Sequence, residues 1–375
     1  MAVVLTLSIG LLLAYANGAN DNFKGVATLF GSASASYRRA LLWATATTAL
    51  GSVTAVVLAR GLLESFSGRG LTPDEAVAHP SFALAVALGA GSTVLLATRF
   101  GLPISTTHAL VGGLVGAGLL HSAGGINLVH LGDQFLLPLL TSPLIAAALS
   151  VVAYRGLRRL RIALGVEEET CVCVDDEIVG VAAGTAGFAR TLRAVNLPTV
   201  TVGSQAVCRA QHRGEIAGFS ARPLLDGAHY VSAGVVSFAR GLNDTPKIAA
   251  LLIVGDAISA TNAVAGVTLA IAAGGLLSAR RVAETMSRRV TAMNSGQGFA
   301  ANMVTGLLVV GASFLGLPVS TTHVSCGSLF GIGAATGQGH WEMIRRILAA
   351  WVVTFPMAAL FGALCMACLD GYRYQ

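Results

Sequence analysis

A chain of 375 residues that is 54% hydrophobic and only 11% charged, with a mean hydropathy of +0.72, is not an ordinary soluble domain, in which about a quarter of residues are charged. It belongs in lipid, where its 45 glycines suit helices whose backbones approach closely. The net charge of +6 does not point to nucleic acid, because the basic residues form short clusters between apolar runs, as the cytoplasmic loops of membrane proteins do.

Apolar stretches of about 20 residues cross a bilayer as helices. In chain order they are expected near 2–36 (interrupted), 40–60, 81–99, 102–122, 133–154, 226–254 (interrupted), 257–278, 297–315, 318–337 and 343–368. Each interrupted stretch counts as one broken span or two short ones, so the expectation is an all-α polytopic membrane protein with ten to twelve transmembrane segments. The apolar start, Met1 to Leu13, has no basic flank and reads as the first span or half of one rather than a cleaved leader. Taking Arg38 and Arg39 as inside, ten crossings also put Arg99, Arg155, Arg158, Arg159, Arg161, Arg280, Arg281, Arg288, Arg289, Arg345 and Arg346 inside. Only Arg60, Arg69 and Arg373 fall outside, which obeys the positive-inside rule and sets both termini outside.

Residues 155–225 break the pattern. Glu167, Glu168, Glu169, Asp175 and Asp176 lie here among several arginines, and Val200–Val202 alternates as a short strand would. The division expected is a membrane half over 1–154, a cytoplasmic insert over 155–225, and a second membrane half over 226–375. Cys171, Cys173 and Cys208 fall in the insert without a complete four-ligand set, so no metal site is expected. Cys365 and Cys368 sit in an apolar run, as small packing residues do.

The two halves repeat each other. Gly18-Ala-Asn20-Asp21-Asn-Phe-Lys24 returns as Gly241-Leu-Asn243-Asp244-Thr-Pro-Lys247. Gly101-Leu-Pro103-Ile-Ser105-Thr106-Thr107-His108 returns as Gly316-Leu-Pro318-Val-Ser320-Thr321-Thr322-His323. From 101 to 118 and its counterpart, 11 of 18 positions are identical. Five crossings per half would start the second copy from the opposite side, giving inverted repeats with a site near the midplane.

The motifs carry chemistry suited to an anion. Asp21 and Asp244 lie in apolar spans, where ionised groups are functional candidates. Breaks in the helices are expected at both aspartates, since Gly18 and Pro246 nearby disfavour regular helix. Lys24 and Lys247 are the only lysines in the chain, each three residues after its aspartate. Two readings stand for them: neutralising the aspartates, or attracting an anion or standing in for a coupling cation. Pro103 and Pro318 suit a first helical turn, after which Ser105, Thr106, Thr107, Ser320, Thr321 and Thr322 would present hydroxyls and free N–H groups to an oxyanion; alternatively these hydroxyls bond only backbone. His108 and His323 read either as proton relays or as satisfied interior histidines. Gln297 and Asn302 either coordinate a cation or bond a neighbouring helix. Arg240 and Asn262 also lie in apolar surroundings.

These four motifs, in this order around an internal loop, resemble the inorganic phosphate transporter (PiT) family. The resemblance covers both membrane halves and leaves out the insert. It implies an ion-coupled phosphate symporter of the cell membrane, most simply a homodimer, with no enzymatic activity and no cofactor beyond a coupling Na+ or H+. By position, the family's ion and phosphate duties pass to Asn20, Asp21, Asn243 and Asp244 and to Ser105–Thr107 and Ser320–Thr322, and Gln297 matches the polar residue ahead of the second family Gly-Leu-Pro motif; Asn302 as an ion-coupling candidate, and Lys24 and Lys247 as substrate-binding candidates, rest on the residues themselves. The common family form places Asn three residues after Asp, where this chain has Lys24, and an ammonium there makes proton coupling, or fewer sodium ions, the more natural expectation. A sulfate or related oxyanion permease, and a passive anion channel, are the competing readings. A Ser105–His108 dyad is disfavoured because both residues recur in the other half, which fits binding by symmetry better than one-sided catalysis.

Overall fold

The computed structural model describes residues 2–121, 125–167, 170–183, 191–204, 218–253 and 258–371. Ten long helices carry the architecture of the described residues: α1 (Ala2–Asp21), α2 (Tyr37–Leu58), α3 (Pro80–Arg99), α4 (Thr106–His121), α5 (Leu128–Ala163), α6 (Ala221–Ile253), α7 (Ala260–Ser278), α8 (Ser295–Phe314), α9 (Thr321–Thr336) and α10 (Trp341–Gly371). Six of them, α2, α3, α5, α7, α8 and α10, are long and apolar enough to cross a membrane. Their outer faces carry large apolar side chains such as Leu144, Leu269, Leu307 and Val352, all more than two-thirds exposed. In water such surfaces would drive aggregation; in hydrocarbon they are at home. The chain is a multi-pass membrane protein.

Close packing explains the glycines of the repeat. A β-carbon at Gly18 on α1 would lie 2.0 Å from the Ile271 carbonyl oxygen on α7, and one at Gly241 on α6 would lie 2.1 Å from the Thr48 carbonyl oxygen on α2. Gly116 and Gly331 are equally pinched, against the Ala359 carbonyl on α10 and the Ala147 carbonyl on α5. In every case the helix of one half packs on a helix of the other, and the equivalent helix returns the contact. The halves interlock rather than sit side by side.

The expected helix breaks are only half right. The first motif does interrupt its helix, directly after Asp21, with a 3-10 turn over Lys24–Val26 before a short helix, Ala27–Gly31. Gly18 serves the close approach to α7. The second motif does not interrupt its helix: α6 runs through Pro246. Tertiary bonds from Asn243 and Lys247 to the Val319 carbonyl flank the proline on both sides, so packing outweighs its helix-breaking preference.

Residues 156–228 group as a separate compact unit. Within it, strand β1 (Thr170–Ala183) pairs antiparallel with β2 (Thr191–Ser204) and with β3 (Gly218–Ser220). The short strand expected at Val200–Val202 is the end of a longer one, pairing with Val172–Val174. Cys171 and Cys173 lie on β1, and Cys208 lies outside the described residues. Among the described residues no cluster of histidine, cysteine or carboxylate side chains could hold a metal. Cys365 and Cys368 are free thiols on α10.

Candidate functional site

The Gly-Leu-Pro-x-Ser-Thr-Thr-His motif is a helix stop followed by a helix start. Gly101 takes φ +67°, and the N–H groups of Gly101 and Leu102 return to the Thr98 and Ala97 carbonyls, the paired bonds of a Schellman cap that favours glycine. Gly316 repeats this at φ +67°, with bonds from Gly316 and Leu317 to Ser313 and Ala312. The prolines follow the stop, three residues before the next helix, and not within its first turn as expected. The helix starts are capped by serine: Ser105 Oγ accepts from the His108 N–H at 3.0 Å, and Ser320 Oγ from the His323 N–H at 3.2 Å. An extended peptide, 102–105 or 317–320, is left between stop and start in each half.

The lysines reach these two peptides in a matched, crossed pattern. Lys24 Nζ donates to the Ile104 carbonyl of its own half at 2.8 Å and to Thr322 Oγ1 of the other half at 2.6 Å. Lys247 Nζ donates to the Val319 carbonyl of its own half at 2.7 Å and to Thr107 Oγ1 of the other at 2.9 Å. Ile104 and Val319 are equivalent positions, as are Thr107 and Thr322. The threonines complete the crossing, Thr322 donating to Ile104 O at 2.9 Å and Thr107 to Val319 O at 3.4 Å.

The aspartates sit behind the lysines. Asp21 Oδ1 accepts from Lys24 at 2.5 Å, and its Oδ2 accepts from Thr106 Oγ1 at 3.2 Å. Asp244 lies 3.9 Å from Lys247 and 3.6 Å from Arg240 Nε, with Thr321 Oγ1 at 3.5 Å. All five charged groups are at most 3% exposed. Buried charges are tolerated when paired and hydrogen-bonded, and here each acid has a cation of its own half.

Asn20 and Asn243 fasten the first motif to the second. Asn20 donates to Thr98 Oγ1 and the Leu102 carbonyl and accepts from the Ile104 N–H and from Lys24, which uses all four of its hydrogen-bonding positions. Asn243 donates to Val319 O and Asp244 and accepts weakly from Ser313. The two histidines also meet: His108 Nδ1 and His323 Nε2 are 3.2 Å apart. His323 Nδ1 faces the Leu139 carbonyl at 3.3 Å. A carbonyl only accepts, so Nδ1 carries the proton of neutral His323 and its Nε2 accepts from His108. The His323 ring stacks on Trp351, whose Nε1 donates to the Pro103 carbonyl.

Gln297 and Asn302 are engaged elsewhere. Gln297 forms a capping box with Asn294 at the start of α8. Asn302 Nδ2 donates to Thr28 Oγ1 at 2.9 Å and Ser232 Oγ at 3.3 Å. Asn262 is exposed on the first turn of α7. Two groups at the centre do not stand out in the sequence. Asn17 Nδ2 lies within hydrogen-bonding distance of Asp21 Oδ2, Thr106 Oγ1 and Asp244 Oδ2, at 3.1, 3.1 and 3.3 Å, and so links the acids of both halves. Arg240, notable in the sequence only as a basic residue in an apolar run, donates to Asn17 Oδ1 at 2.6 Å and Asn22 Oδ1 at 3.0 Å. Each stands four residues before its aspartate; alignment of the repeats would expose the pair.

The family model described as the phosphate transporter family matches residues 17–362. A protein of Pyrococcus horikoshii named "Putative phosphate permease" is 26% identical over 96% of both chains. The chloroplastic inorganic phosphate transporter 2-1 of Arabidopsis thaliana is 26% identical over 96% of this chain and 70% of its own. A solved structure named "The sodium-dependent phosphate transporter" superposes with a TM-score of 0.76 at 20% identity, covering 98% of this chain and 99% of that one, a likeness of fold. With the family match running through both halves of the crossed lysine site, the chain belongs to the phosphate transporter family.

Proposed function

We propose that the protein carries inorganic phosphate across the cell membrane by cation-coupled symport, at a site shared between two halves that run in opposite directions through the bilayer. The observation that carries this reading is the crossed lysine pattern. Each ammonium spends donors on a neutral carbonyl and on a hydroxyl of the opposite half. A phosphate oxygen is a stronger partner for an ammonium than either. Entry of the anion between the Ser105–Thr107 and Ser320–Thr322 segments would exchange these bonds for charge-assisted ones and give the anion the first-turn N–H groups of α4 and α9. Unlatching one crossing and then the other would open the site to each side in turn.

Asp21 and Asp244 are proposed to set the coupling, with Asn20 and Asn243 holding their turns to the extended peptides. The paired cations already occupy the space beside each carboxylate, which favours a proton as the coupled ion, carried by an aspartate or by the phosphate itself. Sodium is the second reading, favoured by the likeness of fold to a sodium-dependent phosphate transporter; Gln297 and Asn302 belong to that reading. A homodimer, with residues 155–225 on the cytoplasmic side, is proposed on the resemblance and on the arginine distribution. Uptake of labelled phosphate into proteoliposomes tests the whole: it is expected to saturate and to fall at least about a hundredfold in Asp21→Asn. Absence of uptake by the wild-type protein under both proton and sodium gradients would overturn it.

A further inference from the structure

The charges buried at the centre do not balance. Among the described residues, Lys24, Arg240 and Lys247 supply three positive charges, and Asp21 and Asp244 two negative ones. Of the three cations, only Arg240 cannot release its proton in a protein. Its surroundings add no counter-charge. Its donors go to the neutral side chains of Asn17, Asn22 and, at 3.4 Å, Thr48, and its Nε has only the 3.6 Å approach to Asp244, which Lys247 shares. Helix α2 contributes Thr48 and no buried charge, its Arg38 and Arg39 being exposed. The remaining titratable groups near the site are His108 and His323, which cannot supply negative charge, and Cys326, a buried thiol that keeps its proton as a donor to Met286 Sδ at 3.4 Å.

The repeat makes the excess local to one residue. Remove Arg240 and the two halves balance, each acid with its lysine; the equivalent position of the first half is the uncharged Asn17. A surplus charge inside a membrane is costly, and an arriving anion would cancel it.

We propose that Arg240 is a specificity-determining residue. Its fixed charge leaves the resting site one positive charge in excess, so that the site takes a singly charged oxyanion and disfavours a doubly charged one. Arg240 acts at range, by its charge and through Asn17, which it holds against both aspartates; it is not a phosphate ligand. The inference rests on the proposed phosphate site, with both aspartates ionised and the coupled proton carried by the phosphate itself, and adds the ionisation state accepted there: dihydrogen phosphate over monohydrogen phosphate, and over sulfate, which is divalent throughout the neutral range.

The test is a charge series read by binding. Labelled phosphate and competing sulfate are titrated against purified protein in detergent from about pH 6 to about pH 8, the interval in which phosphate gives up its second proton. Wild-type affinity is expected to weaken as pH rises, following the monoanion, with sulfate competing at least about a hundredfold more weakly than phosphate. Arg240→Gln brings the site to balance and is expected to lose at least about tenfold in phosphate affinity, while Arg240→Lys stays within about threefold of wild type, which separates charge from folding. Asp244→Asn raises the surplus to two and is expected to narrow the phosphate-to-sulfate ratio at least about tenfold. Equal phosphate affinity in wild type and Arg240→Gln, or an Arg240→Lys variant as weak as Arg240→Gln, overturns the role of Arg240 and leaves the phosphate site standing. A monodisperse wild-type protein that binds no phosphate at any pH overturns the functional reading itself.

Discussion

In the first half of the molecule a single ammonium serves the buried acid, Lys24 on Asp21 at 2.5 Å. In the second half two cations serve it at longer range, Arg240 at 3.6 Å and Lys247 at 3.9 Å from Asp244. The backbone differs in the same sense. The first motif leaves its helix after Asp21 and winds a 3-10 turn through Lys24, whereas the second stays helical through Pro246. The polar contacts differ too: Asn302 of the second half bonds Thr28 of the first and Ser232 of its own, and its counterpart position in the first half is Ala87, in the apolar core. A duplicated sequence has therefore kept the crossed lysine bonds identical while letting the support around each acid diverge. What is held constant is the crossed lysine contact; what has drifted is the support around each acid.

Removing one lysine at a time would sharpen that contrast. Lys24→Met leaves Asp21 buried without a cation of its own half and is expected to cost about 3–5 kcal/mol, as for a broken buried pair. Lys247→Met leaves Arg240 beside Asp244 and should cost about 1–3 kcal/mol, nearer the loss of hydrogen-bonded donors. Equilibrium unfolding in mixed micelles measures both, and equal losses would erase the distinction drawn between the halves. A smaller effect is expected at the unmatched Asn302. Asn302→Ala should cost about 1–2 kcal/mol through Thr28 and Ser232 and leave phosphate binding within about twofold at fixed sodium. A loss of binding that sodium rescues would move Asn302 from packing into ion coupling.

Much of this is legible in the chain. Lipid solubility follows from the scarcity of charge, and the site from two motifs written twice. Less legible is which residue of a motif does which task. Proline reads as the start of α4 and α9, yet the glycine ends the preceding helix with a left-handed residue and the serine begins the next. Both signals are present in Gly-Leu-Pro-x-Ser, but they compete within five positions. Gly18 reads as a helix breaker because propensity is local, and its actual constraint, the Ile271 carbonyl, lies on a helix of the other half. Asn17 gives no sign because an asparagine near a helix end is common, and its importance comes from Asp244, 227 positions away. Single residues announce chemistry; the partners that give them a role arrive only with the fold.

In the mechanism proposed above, transport turns on the place where the lysines cross between halves, and a cryo-EM structure of the phosphate-loaded protein in lipid nanodiscs addresses it directly. The crossed-lysine mechanism predicts tetrahedral density between the Ser105–Thr107 and Ser320–Thr322 segments, with at least one of Lys24 and Lys247 turned from its threonine toward the anion. Density bound elsewhere, with both crossed lysine bonds intact, would contradict it.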